Sequence, residues 1–513
     1  MRGDITQDLV ETDVWTDEMV RRAGIPILDV PFVTIGSGIG SFVTYDTLRI
    51  YGVPAQSMAV LGPQEVPWAS YEYLTRVSQI PRGERLRSDS ASTPDNMWGF
   101  PSYAVREALA DKTIRPLWNV FTEPIFANYY TPKAGQAFVA MEREFHRIGY
   151  AGSLHKGHVR MVRKRSGGGY FAVLTPPAGA APTKRIAFRS TYVHLGVGYP
   201  GLKLLPDLQE YREKYRDPTR VVNAYEPHEH VYQALQRRPG TVMIRGSGIV
   251  ASRVLQRLID DRDKLRLNTR ILHLFRHYVG KAQGSNVFNR RRAGDGWSYQ
   301  GFNYPKSVWG GQLKAKMRML QGEQRARAYQ EMGGTSTPVR DNWQEQLRRG
   351  RRQGWYQVMA GTARDLRPAP GPGGVITTIV PDTSAPLPFP PPTQPFDTAA
   401  DYIIDCTGLE ADVREHRLLA DLLDHAGAGR NPVGRMDVDT TFELIGTRSG
   451  SGRIYASGSA TLGGPFPGVD TFLGLQIAAQ EIADDLAALG FCQRMGPVHS
   501  TRQWWLWVTN KKI

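Results

Sequence analysis

Two stretches of this chain repeat one design, and together they constrain its fold more than any other feature. In the first, the short apolar run Phe32 to Ile35 breaks at Gly36-Ser37-Gly38-Ile39-Gly40-Ser41 and resumes with Phe42, Tyr45 and Leu48 before Gly52. In the second, Val242 to Ile244 runs into Gly246-Ser247-Gly248-Ile249-Val250-Ala251, followed by Val254, Leu255, Leu258 and Ile259. A short apolar run, a glycine pair and then apolar residues at helical spacing predict strand, tight turn and helix. The first glycine permits the turn and the second lets backbone N–H groups approach a pyrophosphate. A small third residue, here Ser41 or Ala251, lets helix pack on strand. Each turn is a candidate dinucleotide site. One such turn also joins strand to helix in proteins with no ligand, so the second copy is what strengthens the reading.

In this arrangement a carboxylate at the end of the next strand takes the ribose hydroxyls. After the first turn that strand, Ser57 to Leu61, ends at Gly62, and Gln64 and Glu65, two and three residues on, are the candidate substitutes through a longer reach. After the second turn the strand Ile271 to Phe275 ends in Arg276-His277. An arginine there pairs a 2′-phosphate that an acid would repel, which favours NADPH over NADH.

Composition narrows the alternatives. The only cysteines, Cys406 and Cys492, form neither a CxxC pair nor a disulfide framework nor a metal-ligand spacing, so no metal is expected and a reducing compartment suits the chain. Met1 to Asp17 is polar and acid-rich without a signal pattern, and no apolar run is long enough to span a bilayer, so a cytoplasmic protein is expected. The net charge of +15 attracts phosphates, carboxylates, acidic partners or an anionic membrane face. Nucleic acid is not expected, because the basic residues are spread out. Arg290-Arg291-Arg292 and Arg348-Arg349-Gly350-Arg351-Arg352 are local clusters that also read as solvated surface. The carboxyl end, with Trp504, Trp505 and Trp507 beside Arg502, Lys511 and Lys512, offers a seat at a lipid interface or in a partner's groove; packing on the chain's own surface is the commoner use of such rings.

In chain order, a loop-rich stretch from Arg82 to Tyr103 includes Leu86-Arg87-Ser88, and Thr131 to Ile148 reads as a helix. Gly157 to Val162, which includes Val159, and Tyr170 to Leu174 form a hairpin around Ser166 to Gly169. Thr191 to Leu195 then runs into Gly196-Val197-Gly198-Tyr199-Pro200. Residues 280–355 are polar and aromatic by turns, with a helical segment from Gln312 to Met332. Arg364 to Pro395 is Pro/Gly-rich around a strand at Val375 to Val380. Asp401 to Asp405 is an apolar strand before Cys406-Thr407-Gly408. Gly452 to Ser459 is another, and Gly463 to Phe472 leads into a helix, Leu473 to Leu489.

In this order of elements the chain resembles the flavoproteins with two dinucleotide-binding domains, in particular the FAD- and NADPH-dependent monooxygenases that include flavin-containing monooxygenases, Baeyer–Villiger enzymes and amino-acid N-hydroxylases. Gly196 to Pro200 is similar to their crossover between domains, and Val221 to Tyr232, with His228, to the tail of their fingerprint. Asp401 to Gly408 is similar to their second Thr-Gly element. The resemblance implies an α/β fold of two Rossmann-like domains with a helical, aromatic-rich insertion. It divides the chain into an FAD-binding part at 1–210, an NADPH-binding domain at 211–400 with the insertion near 280–355, and a returning FAD-binding part with the tail at 401–513. It implies that Gly36 to Ser41, Gln64, Arg87, Val159, Gly458, Ser459 and Phe472 contact FAD, and that Gly246, Ser247, Gly248, Ile249, Val250 and Arg276 contact NADPH. Ser459 stands where the family usually has an aspartate. The amino end of the Leu473 helix would face the flavin's pyrimidine carbonyl.

The implied function is an FAD-dependent oxidoreductase reduced by NADPH, with the flavin itself carrying the chemistry. A monooxygenase would act with molecular oxygen through a flavin C4a-hydroperoxide on a small, anionic or nitrogen-containing substrate. The alternatives are an NADPH-linked flavin dehydrogenase or electron-transfer flavoprotein, and a non-catalytic flavin-binding subunit. Trp297, Tyr304, Lys306 and Trp309 in the insertion are weak substrate candidates, as aromatic walls and a cation for an anion. A peripheral patch that only packs is the equal alternative.

Overall fold

A computed structural model of the chain describes residues 3–86, 93–126, 130–179, 184–281, 293–299, 312–332, 337, 340, 342–370, 373–466 and 468–513. The strand carrying the first glycine turn, Phe32–Ile35, is buried at every position and lies at the centre of a five-stranded sheet. The order is Arg453–Ala456, Tyr192–Leu195, Phe32–Ile35, Met58–Gly62 and Leu154–Lys156, with every neighbouring pair parallel. Strands covered on both faces read as unbroken apolar runs, which is why Phe32 to Ile35 and Met58 to Leu61 lack the alternation of a half-exposed sheet. The edge strand Arg453–Ala456 comes from the far end of the chain, so sequence beyond the second unit completes the first.

Helix Ile39–Ile50 leaves the first turn, and helix Phe472–Ala488 packs along it. Thr471 caps the latter by accepting the Gly474 N–H at 3.1 Å. The expected helix after Thr131 runs Ala134–Arg147, opened by Gln136 accepting the Lys133 N–H at 2.8 Å. The expected hairpin is His158–Arg165 against Tyr170–Thr175 in a second five-stranded sheet, and Val159 on it is a core residue.

The second unit is built on Val221–Asn223, Tyr402–Asp405, Thr241–Arg245, Arg270–Phe275 and Tyr356–Pro368, all parallel, extended by antiparallel strands Val375–Pro381 and Phe396–Ala400. Both expected boundaries move. Tyr402–Asp405 lies inside this sheet, so the return to the first unit comes after it and not at 401. Helix Pro206–Tyr215 spans the 210/211 division and buries Leu208 and Tyr211 against the second sheet. A short apolar strand carries no mark of which sheet will take it, and only its partners decide.

Of the insertion, the described part comprises a small ribbon, Ala293–Gly294 with Trp297–Ser298, and helices Gln312–Met319, Gly322–Met332 and Trp343–Arg352. Trp297 is fully buried, 5.2 Å from the His273 ring, 5.6 Å from Phe275 and 5.4 Å from Trp343. This corrects its assignment to a substrate wall: the ribbon folds back onto the sheet, and the large ring becomes core. Tyr304, Lys306 and Trp309 lie outside the described residues, as does Arg87.

Two surface features remain. Arg348, Arg349, Arg351 and Arg352 each meet a carboxylate: Asp295 at 3.7 Å, Asp263, Asp295 again at 2.6 Å and Glu345 at 2.7 Å. Arg290-Arg291-Arg292 lies outside the described residues. At the carboxyl end, helix Pro497–Val508 buries Trp507 between Trp98, at 5.3 Å, and the Arg143 guanidinium, at 5.4 Å, while Trp505 stays exposed. Among the described residues no helix is long and apolar enough to cross a membrane.

Candidate functional site

Gly36 has φ +100°, and a Cβ there would lie 2.3 Å from the Gly196 carbonyl oxygen, so only glycine lets the turn pass the crossover strand. Gly38 is in the opposite situation. The nearest atoms to where its Cβ would stand are Gln64 Oε1 at 3.9 Å and Pro67 O at 4.0 Å. The turn is packed at its first glycine and open at its second. The helix that follows has no acidic residue in its first turn, which leaves its positive end unopposed.

The absent carboxylate has a steric cause. A side chain on Gly62 would meet Ser37 N at 2.5 Å, so no acid fits at that strand end. The chain turns instead, with the Gln64 N–H donating to Ser37 Oγ at 2.8 Å. The Gln64 side-chain oxygen is buried and has no hydrogen-bond partner among the described residues. Glu65 points away to an ion pair with Lys156. A buried, unpartnered acceptor beside an open glycine turn fits a ligand with ribose hydroxyls and a pyrophosphate, and so fits FAD.

The returning segment closes on the same place. Gly40 has Ser457 Oγ and Leu475 within 3.5 Å of its would-be Cβ, and Gly196 Cα at 3.6 Å, so turn, crossover, the end of the last strand and helix Phe472–Ala488 converge there. Gly458 follows at φ +76° and opens a short 3-10 turn, Gly458–Thr461, in which Ser459 is buried. Phe472, the first residue of helix Phe472–Ala488, meets the half-buried Tyr71 edge-on at 5.4 Å. Burial pushes the Tyr71 phenol up to about 12.

The second turn is built alike. Gly246 has φ +125° and would place a Cβ 2.7 Å from the Cys406 carbonyl oxygen, Gly248 is extended, and Ala251 is fully buried under the helix Ile249–Leu265. That helix too starts without an acidic residue. Arg245 pairs in register with Leu274, so Arg276, two residues further on, stands at the same sheet end as Ser247; it is exposed and has no partner among the described residues. A free cation at this edge fits the phosphate-bearing dinucleotide, NADPH. Ile249 and Val250 pack into the core beneath.

Sequence reasoning missed the residues that hold the turns from behind. His194 lies 2.8 Å from Thr34 Oγ1 and 2.9 Å from Ser457 Oγ, and His273 lies 2.7 Å from the Gly246 carbonyl and 3.0 Å from the Tyr356 hydroxyl. Burial pushes His194 down to about 3 and His273 down to about 4. The available signal was a histidine in the middle of each apolar strand, Tyr192 to Leu195 and Ile271 to Phe275.

Comparison with known proteins places this fold. No family model matches the chain, and no curated protein matches it. Solved structures do. An ornithine hydroxylase from Pseudomonas aeruginosa is 15% identical, with a TM-score of 0.61 over 90% of this chain and 99% of that one. The ornithine N-hydroxylase of Kutzneria sp. 744, whose structure carries reduced FAD, NADP+ and L-ornithine, is 12% identical with a TM-score of 0.64 over 90% of this chain and 100% of that one. The FAD-bound cadaverine monooxygenase of Erwinia amylovora is 12% identical with a TM-score of 0.61 over 89% and 94%. The chain therefore has the two-domain fold of the N-hydroxylating flavin monooxygenases, as the resemblance implied.

Proposed function

We propose that the protein is an FAD-dependent oxidoreductase, reduced by NADPH, that hydroxylates the nitrogen of a small amine or amino acid. The observation that carries the reading is the pair of built glycine turns, one with an open approach at Gly38 beside the Gln64 oxygen, the other beside Arg276, both without a partner among the described residues, in a fold shared over nine tenths of the chain with ornithine hydroxylases. Bound flavin would supply the redox and oxygen chemistry. The protein's own residues would hold FAD between the first turn and the Gly458 segment, and orient NADPH by its pyrophosphate at Gly246 to Gly248 and its 2′-phosphate at Arg276. The overall reaction balances as amine, oxygen, NADPH and a proton giving hydroxylamine, water and NADP+.

Disulfide reduction, a chemistry that needs a thiol pair beside the flavin, is disfavoured. Cys406 is buried with its thiol pushed well up by desolvation, and Cys492 is pushed up to about 12. The test is a purified protein assayed for bound FAD, for bleaching by NADPH without air, and for oxygen uptake with ornithine, lysine or cadaverine. Oxygen uptake matched by hydroxylamine formation supports the proposal. Flavin reduction by NADPH with no oxygen consumed in any assay selects a dehydrogenase instead.

A further inference from the structure

Each glycine turn is backed by a fully buried histidine on a neighbouring strand. His194 stands opposite Thr34 on one side and Tyr455 on the other. The Thr34 hydroxyl donates to Ser41 Oγ at 2.8 Å, so His194 Nδ1 carries the proton that bonds Thr34, and its Nε2 accepts from Ser457. One ring thereby links the start of the first helix to the residue before Gly458 on the returning strand, two segments that lie far apart in the chain. In the second unit the tautomer is reversed. The Gly246 carbonyl can only accept, so His273 Nε2 is protonated, and Nδ1 accepts the Tyr356 hydroxyl. In a trans peptide the carbonyl and the next N–H point in opposite directions. Holding the Gly246 oxygen against the sheet therefore turns the Ser247 N–H away from it, out of the turn. Both rings are kept neutral by burial, so each presents one donor and one acceptor across the working pH range.

We infer that His194 and His273 are positioning residues, each fixing the backbone of one dinucleotide turn: His194 joins the flavin turn to the returning strand, and His273 sets the peptide that opens the nicotinamide-dinucleotide turn. The inference rests on the assignment of FAD and NADPH to these turns, and it predicts crossed selectivity that general loss of packing would not produce. His194→Leu should weaken FAD about tenfold or more and leave NADP+ affinity, measured at saturating FAD, within about threefold. His273→Leu should do the reverse, and His273→Gln, whose amide N–H can serve the Gly246 carbonyl, should recover most of the NADP+ affinity.

Dissociation constants come from flavin fluorescence for FAD and calorimetry for NADP+, with thermal unfolding alongside. If either leucine variant does not fold, Ser457→Ala and Tyr356→Phe each remove one hydroxyl from the same contacts and carry the same crossed expectation at about threefold. Variants that weaken both ligands equally, or neither, overturn the inference while the functional reading stands. A wild-type protein that binds neither FAD nor NADP+ overturns the functional reading itself, and the inference with it.

Discussion

Thr34 Oγ1 lies 2.8 Å from Ser41 Oγ, which ties the third small residue of the glycine turn back to the strand that precedes it. Ser41 is also pressed against the crossover, since a Cβ on Gly196 would stand 2.5 Å from its oxygen. The serine is thus a small residue with a second task. Ser41→Ala keeps the space and loses the bond. We expect a stability loss of about 1 kcal/mol with FAD retained, read by denaturant unfolding and the flavin-to-protein absorbance ratio. Ser41→Leu should lower flavin occupancy instead, because its side chain has nowhere to go but into Gly196.

The two glycines before it should fail in different ways. Gly36→Ala combines a positive φ with a collision on the Gly196 carbonyl, so the fold itself should suffer, by several kcal/mol or loss of soluble protein. A Cβ on Gly38 meets its neighbours only at ordinary contact distance, so Gly38→Val should fold with a melting temperature near wild type and yet purify without FAD. Full flavin occupancy in the Gly38 variant would remove the cofactor assignment from this turn.

These contrasts show what was legible in the sequence. The strand–turn–helix units at Gly36 and Gly246 could be read from spacing, because a tight turn with one open and one packed glycine leaves a local trace. Gln64 and Glu65 could be named as substitutes for the carboxylate, but the steric contact between Gly62 and Ser37 that forces the substitution joins one strand's end to the glycine turn of another segment and is invisible in one dimension. The same holds for Tyr402–Asp405, whose apolar residues suit either sheet, and for Trp297, whose aromatic neighbours suggested a pocket wall until His273, Phe275 and Trp343 closed around it. His194 and His273 were passed over because a lone histidine in a strand gains meaning only from the strand beside it.

Arg276 carries the choice of reductant. Its place at the sheet end beside the second turn, with no carboxylate partner among the described residues, leaves its charge available. Arg276→Ala should weaken NADPH by about 1.5 to 3 kcal/mol, roughly tenfold or more, and change NADH little. Steady-state KM values with the two cofactors check this. Equal losses would make Arg276 an ordinary surface residue.

The buried histidines also shape stability against pH. His194 falls from 6.5 in the exposed state to about 3 in the fold, and His273 to about 4, so each is neutral when folded and free to take a proton when unfolded. Folded pKa values depressed in this way contribute stability that is fully present above pH 6.5 and is lost as pH falls towards the folded values. For His194 alone the loss between about pH 7 and about pH 5 is about 2 kcal/mol. Buried carboxylates act in the other direction: desolvation raises Asp46, Asp95 and Asp405, so their contribution is present at low pH and lost as pH rises. The net curve mixes both, but a comparison of wild type with His194→Asn isolates the ring. The variant should be less stable at neutral pH, for want of the Ser457 contact, and the gap should narrow by about 2 kcal/mol on going to about pH 5. Denaturant unfolding at the two pH values measures it, and a gap that stays constant would mean that His194 is already charged in the fold or has room to take a proton there.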